Sequence, residues 1–275
     1  MSIQVASKIF DLERDTSWMK TSDSQQRLAS ILLSVPQFRA GWTMAQVDYA
    51  AATQANALGT GYPLANNNVA TFGADGSAPY CEFDGTNQYL SRADGGAANW
   101  ADVIGTETYV PAAQQGLTFG GWFYFDRLTN QEFLIGKSTA AAAATSSYWL
   151  EFRGDQAGDP FDLNISNGAA ITTIRLTRAT APVAGEWYYV VGRFDPSTEL
   201  KIYVGNGGPL ETAANLAAIP AALNDSAADF TIASLSAGGG RWLDGKASCC
   251  FLCAGALPDT WITCIYSQFR SIFQV

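Results

Sequence analysis

The acids to weigh as a catalytic pair in this chain are Glu151, Asp155, Asp159 and Asp162. A two-carboxylate mechanism needs an acid and a base held at fixed separation across one bond. Glu151 stands alone in YWLEFR, and Asp155, Asp159 and Asp162 fall mostly in a turn, so the pattern favours solvated turn acids over a catalytic pair. Histidine is absent, which removes the commonest general base near neutral pH and every Ser-His or Cys-His nucleophilic pair. Among the five cysteines, Cys250 and Cys253 have C-x-x-C spacing, which fits redox chemistry or half a zinc site. That stretch reads as a strand, which places Cys249 and Cys253 on one face and Cys250 on the other and splits any ligand set. Burial of the thiols in the core is the reading adopted, for these and for Cys81 and Cys264. Aromatic side chains beside polar groups suit sugar stacking, and Tyr148, Trp149 and Trp242 with Asp155 and Asp159 form the candidate ligand site. Against that stands the plain alternative that each of the eight tryptophans is core.

The elements that must position these residues are strands. Trp187–Phe194 is dense in aromatic and β-branched residues, Asp195-Pro196-Ser197-Thr198 is a turn, and Glu199–Val204 alternates strictly. Leu200, Ile202 and Val204 take one face; Glu199, Lys201 and Tyr203 take the other, which reads as the wet one. The first strand is apolar on both faces, so it belongs inside a covered sheet. Leu117–Phe125 is a continuous apolar run of the same kind. Shorter strands are expected at Cys81–Leu90 (interrupted at Asp84-Gly85), Phe133–Lys137, Tyr148–Arg153, Phe161–Ser166, Ile171–Thr177, Phe230–Leu235 and Ala247–Ala254. Residues from Trp100 to Val110 read as a long loop. A last helix begins near Leu257-Pro258-Asp259 and carries Trp261, Ile262, Ile265 and Phe269.

Before the strands, two helices are expected. Ser22–Pro36 opens on a capping box, repeats Leu28, Ile31, Leu32 and Val35, and stops at Pro36. Thr43–Leu58 has a second capping box and an apolar stripe of Met44, Val47, Ala51, Ala55 and Leu58. Residues 1–75 are therefore read as a helical arm and connection, and residues 76–275 as an all-β domain. The arm either pads the sandwich or docks on a partner.

From about Tyr80 to Phe269 the order of motifs resembles the laminin-G-like, concanavalin A-like jelly-roll domains. The resemblance rests on FDGTNQYL at Phe83–Leu90, LTFGGW at Leu117–Trp122, FLIGK at Phe133–Lys137, the hairpin Gly185–Gly207, and Leu243–Leu257. It implies an antiparallel jelly-roll β-sandwich with an N-terminal α-helical extension, and a binding or adhesive role, often towards carbohydrate. Domains of this type often carry a Ca²⁺ at the sandwich rim or edge; Asp84 and Asp244 are the weak candidates that remain here, and no cofactor is expected. Ser248-Cys249 replaces an Asp-Glu pair, and no aspartate stands near Asn87-Gln88, so two anionic ligands are missing. Ordinary turn formation by Asp before Gly is the competing account.

Charge narrows the partners. The 25 acidic and 16 basic residues leave a net charge of −9, with no basic stripe to release counterions from a nucleic acid. No apolar run reaches the roughly 18 residues of a membrane span, and no basic-then-apolar leader opens the chain. The expectation is a non-catalytic lectin-like protein made in the cytoplasm and displayed on a larger assembly, such as a phage virion surface. Its partners would be other subunits of the particle, met through the arm, and surface glycans. A secreted carbohydrate-binding adhesin and a glycan-active enzyme of the same superfold are the alternatives.

Overall fold

The computed structural model describes residues 30, 38–44, 53–54, 64–75, 78–94, 116–139, 142–236, 239–273 and 275. Its strands, in chain order, begin with β1 (Phe38–Trp42), β2 (Thr53–Gln54), β3 (Leu64–Asn67), β4 (Thr71–Asp75), β5 (Ala78–Asp84) and β6 (Tyr89–Arg92). Next come β7 (Leu117–Phe125), β8 (Gln131–Ser138), β9 (Ser146–Arg153), β10 (Phe161–Ser166) and β11 (Ile171–Leu176). The last are β12 (Trp187–Asp195), β13 (Glu199–Gly205), β14 (Glu211–Asn215), β15 (Phe230–Ile232) and β16 (Asp244–Cys253), followed by helix α1 (Asp259–Phe269). They form two antiparallel sheets. Sheet A runs β14-β13-β12-β7-β16-β5-β4, with β1 also on β16, and sheet B runs β11-β10-β9-β8-β15-β6-β3-β2.

Between the sheets lies one large core. Phe119, Phe123, Phe125, Tyr188, Val190 and Phe194 of sheet A meet Leu150, Phe152, Phe161, Leu163 and Ile165 of sheet B. Gly192 is needed here, because a Cβ on it would come within 2.7 Å of Leu163 Cδ1 on the opposite sheet. The chain crosses from sheet A to sheet B at Asp84-Gly85, where one strand with an interruption was expected. Asp84 Oδ1 accepts the backbone N–H groups of Thr86, Asn87 and Gln88, which closes the turn.

Sheet A is covered on its second face too. Trp122, Trp187, Tyr189, Val191 and Phe251 point away from the main core and are buried by Ile262, Ile265, Tyr266 and Phe269 of α1, with Phe273 beyond it. Phe273 stacks on Trp122 at 4.3 Å and 13°. The buried residues of α1 fall at helical spacing, i, i+3, i+4 and i+7. Asp259 in its first turn accepts Arg193 Nη1 (2.6 Å), Lys201 Nζ (2.6 Å) and Tyr203 Oη (2.7 Å), which ties the helix start to the hairpin. Partial burial opposes ionisation of Asp259, yet these donors hold its carboxyl below the ordinary value.

This third layer corrects the face assignment of β13. The expected wet face of Glu199, Lys201 and Tyr203 is not wet: Tyr203 is buried, and the other two are half-buried and ion-paired, Glu199 to Arg193 and Lys201 to Asp259. Period two registers polar tips, but Lys and Tyr bury long apolar stems while their tips reach a partner. The tight turn itself is as expected, with Thr198 N–H donating to Asp195 O at 3.0 Å and Ser197 at φ 55°.

The region expected to be an arm contributes strands. β5 pairs with β16 only from Asp244 to Ala247, so the second half of β16 would lack a partner on that side. β1 supplies it, Phe38 to Trp42 pairing with Cys253 to Cys250. Trp42 is fully buried and stacks on Phe230 of sheet B at 5.3 Å. β2 falls inside the helix expected over Thr43–Leu58, and β3 and β4 fall in the connection expected before residue 76. Capping boxes and Ala-rich stripes are local signals, and strand pairing with a distant partner overrides them. Thr43 and Met44, at the start of the helix expected over Thr43–Leu58, are not helical, with Met44 at φ 61°. Its residues other than these and β2, the helix at Ser22–Pro36 apart from helical Ser30, and the loop at 100–110 lie outside the described residues. No helix among the described residues is long and apolar enough to cross a membrane.

Since β1 completes the ladder and Trp42 fills the core, Trp42→Ala is expected to cost about 3–5 kcal/mol in urea unfolding. A change within about 0.5 kcal/mol, the range of an ordinary surface substitution, would place this residue in a separable arm.

Candidate functional site

With sheet A sealed by α1, the outer face of sheet B is where polar side chains converge. Leu150, Phe152, Leu163 and Ile165 point inward, so alternation turns Ser147, Trp149, Glu151 and Arg153 of β9 outward, with Asp162 and Asn164 of β10. β11 adds Ile171, Thr173 and Arg175, in register with Ser166, Asn164 and Asp162. Asp162 lies directly opposite Glu151. Asp162, expected among turn acids, is a strand residue, and the two carboxylates share a face across neighbouring strands. Spacing along one strand does not reveal this, because register is set by the turn between strands and by which face must be buried.

Both carboxylates are spent on partners. Glu151 Oε2 accepts Gln131 Nε2 (2.8 Å) and Arg241 Nη1 (2.7 Å), and its Oε1 accepts Asn164 Nδ2 (3.2 Å). Asp162 holds the fork of Arg175, Nε and Nη2, at 2.7 Å each. Arg153 Nη1 lies 3.9 Å from Glu151 and 3.6 Å from Asp162, linking the two. Thr173 Oγ1 donates to Asn164 Oδ1 at 2.6 Å. Arg153 also forks onto Asp155, and this bond, with that of Gln156, holds the Asp155 carboxyl down at about 2. Three arginines and three acids thus form a continuous ion-pair lattice on one face.

The expected ligand residues are dispersed. Tyr148 points into the main core, fully buried and edge-on to Phe119 at 4.8 Å, so it presents nothing to a ligand. Trp149 faces outward but lies under the loop after β15, packed with Phe133 and Leu235. Its Nε1 and the neighbouring Ser147 Oγ are buried without a hydrogen-bond partner among the described residues. Arg241, from the same loop, supplies the clamp on Glu151. Trp242 tilts against Tyr89 of β6, three strand positions from β9, or about 14 Å across the sheet. Asp159 is half-buried in the turn after β9 at φ 46°, and Asp155 belongs to the lattice through Arg153. Of the five, only Asp155 joins the cluster that the fold assembles. Arg153, Arg175, Arg241, Asn164 and Thr173 were not read as site residues, because surface arginines carry no spacing signature.

The two calcium candidates are adjacent, paired across β5 and β16, but both are occupied. Asp84 caps its own turn. Burial opposes its ionisation, yet the backbone N–H groups of Asn87, Thr86 and Gln88 hold its carboxyl low. Asp244 Oδ2 meets Arg127 Nη1 at 3.3 Å. Arg127 also donates to Gly85 O (3.2 Å) and to Glu132 Oε1 (3.2 Å). A guanidinium therefore sits among the carboxylates at this rim, and the donor set does not fit an added cation. Glu132 is fully buried, and its Oε2 has no hydrogen-bond partner among the described residues; its burial outweighs Arg127 and pushes the carboxyl up to about 8.

The cysteines lie as their strand demands. Cys249 and Cys253 face α1, while Cys250 faces the main core with Cys81. A bulge after Ser248 carries Cys250 over Gly121, where a Cβ would approach Cys250 Sγ to 2.9 Å. None of the five forms a disulfide, and no group of three or more acids or thiols suited to a metal occurs among the described residues. Burial pushes the Cys249 thiol up to about 12, away from the thiolate a metal or redox role needs.

A laminin-G family model, described as the concanavalin A-like lectin/glucanases superfamily, matches residues 94–263. No curated protein matches the chain in sequence. Among solved structures, the botulinum neurotoxin type G receptor binding domain is similar with a TM-score of 0.55 and 12% identity, over 84% of this chain and 51% of that one. The binding domain of botulinum neurotoxin DC in complex with SialylT is similar with a TM-score of 0.56 and 8% identity, over 85% and 52%. The same domain in complex with rat synaptotagmin II gives 0.54 and 10%, over 86% and 52%. The chain spans about half the length of these structures, and a likeness at such identity concerns the fold.

Two measurements check this account. Denatured, non-reduced protein is expected to react with a thiol reagent at all five cysteines, and stoichiometric zinc in the purified protein would contradict it. Glu132, with a folded value of about 8 above its ordinary 4.5, contributes stability that is complete below pH 4.5 and lost as pH rises towards 8. The melting midpoint should therefore fall across this window, and Glu132→Gln should flatten the fall; an unchanged slope would mean Glu132 ionises normally.

Proposed function

Because the chain belongs to the concanavalin A-like lectin/glucanases superfamily, we propose that it is a non-catalytic, lectin-like binding module whose outer face of sheet B receives a glycan. The observation that carries this reading is the asymmetry of the two outer faces. One is filled by α1; the other presents the lattice of Glu151, Arg153, Asp162, Asn164, Thr173 and Arg175, ordered by its own hydrogen bonds before any ligand arrives. A preordered polar face loses little side-chain freedom on binding. Binding rather than hydrolysis is favoured because Glu151 and Asp162 are each saturated by donors. A general acid or base has to be open to the proton it moves.

The finer part of the proposal concerns where the module acts. Five cysteines without a disulfide suit folding in a reducing compartment, which supports synthesis in a cytoplasm followed by display on a larger assembly, a virion surface in the first instance. Other subunits of that assembly would be its protein partners.

A glycan array with the full chain tests the reading. Binding is expected, with a loss of about tenfold or more for Thr173→Ala combined with Arg153→Gln, and none for Lys246→Ala, which pairs with Asp75 on sheet A. Equal loss from all of these, or hydrolysis of a bound glycan, would overturn it.

A further inference from the structure

The groups that the lattice turns towards solvent differ from those it buries. The side chains of Glu151 and Asp162 are 4% and 2% exposed, whereas Arg153, Arg241 and Arg175 are 20%, 27% and 42% exposed. Glu151 and Asp162 lie beneath and the guanidinium groups lie over them, while the third acid, Asp155, is 37% exposed. Acceptors are consumed inside the sheet: both oxygens of Glu151, both oxygens of Asp162 and Oδ1 of Asn164 already accept. Donors are not consumed. Arg175 Nη1, and Arg241 Nε and Nη2, have no partner among the described residues. Asp155 stands at the edge, with both oxygens engaged by Arg153 and Gln156.

A face that offers N–H groups and few open acceptors is matched poorly to a neutral sugar, whose hydroxyls must each donate a proton as well as accept one. It is matched well to a group that only accepts. Resting on the glycan reading above, we infer that the Arg153–Arg175–Arg241 trio takes an anionic substituent of the glycan, a carboxylate or a sulfate. Each guanidinium is already oriented by an acid of the lattice, Arg153 by Asp155, Arg175 by Asp162 and Arg241 by Glu151, so the open N–H edges are fixed before the ligand arrives. The buried acids cancel much of the net charge, so recognition works through directed, charge-assisted hydrogen bonds at short range. The net charge of −9 disfavours anions over the rest of the surface, which confines them to this trio.

The test uses the full chain and matched glycan pairs on one support: a sialylated chain with its desialylated form, and a sulfated chain with its desulfated form. The acidic member of at least one pair is expected to bind about tenfold more tightly, and which pair responds separates carboxylate from sulfate. The advantage should shrink between about 50 mM and about 500 mM salt. Arg175→Lys keeps the charge and loses the fork, and should cut the advantage severalfold at an unchanged melting midpoint. If that variant lowers the midpoint, Arg241→Lys carries the comparison. Neutral members binding as tightly as acidic ones would overturn the anion assignment and leave the glycan reading intact. No binding by any member would overturn the glycan reading, and the assignment with it.

Discussion

Strands β7, β12 and β16 carry large apolar side chains on both faces, and this double-sidedness sets the rest of the architecture. Phe119, Phe123, Tyr188 and Cys250 look into the sandwich, while Trp122, Trp187, Tyr189 and Phe251 look the other way. Fully burying one such side chain is worth about 1.5–3 kcal/mol, so a bare second face would forfeit far more than a folded domain has to spare. Helix α1 and the residues after it cover that face. Its position is specified electrostatically by Asp259, which gathers Arg193, Lys201 and Tyr203 from two neighbouring strands. Sheet A thereby becomes an interior layer.

On the outer face of sheet B the electrostatics run from the inside out. Carboxylates on β9 and β10 would be costly to bury alone, and each is matched by guanidinium or amide donors from adjacent strands and from the loop after β15. The same pairing that makes them tolerable occupies their oxygens and leaves the arginine edges outermost. Arg127 does the equivalent at the opposite kind of site. Placed among Asp244, Glu132 and the Gly85 carbonyl, it fills the rim where Asp84 and Asp244 were the weak candidates for a cation.

Strand patterns, turn chemistry and the ordered motifs were enough for an antiparallel jelly-roll from about Tyr80 onward, and the two sheets and the family match agree. The central hairpin, the apolar Leu117–Phe125 strand, the last helix and the opposite facing of Cys249 and Cys250 follow from local alternation, which depends only on neighbouring residues. The candidate site was much less legible. Tyr148 and Trp149 were correctly seen as aromatics on a strand, but which of the two faces the core depends on the register of β9 against β8 and β10.

What the sequence alone determined is thus the set of pieces whose cause is local: period-two strands, the Asp195–Thr198 turn, the amphipathic α1, and the absence of histidine chemistry. What only the tertiary structure decided is pairing over long separations. β1 comes from a stretch before the expected domain to complete β16; Asp162 comes to stand opposite Glu151; Arg241 reaches ninety residues back to Glu151. Such contacts arise because unpaired backbone groups and buried charges must each find a partner, and the nearest partner in space is set by the packing of two sheets and not by position along the chain.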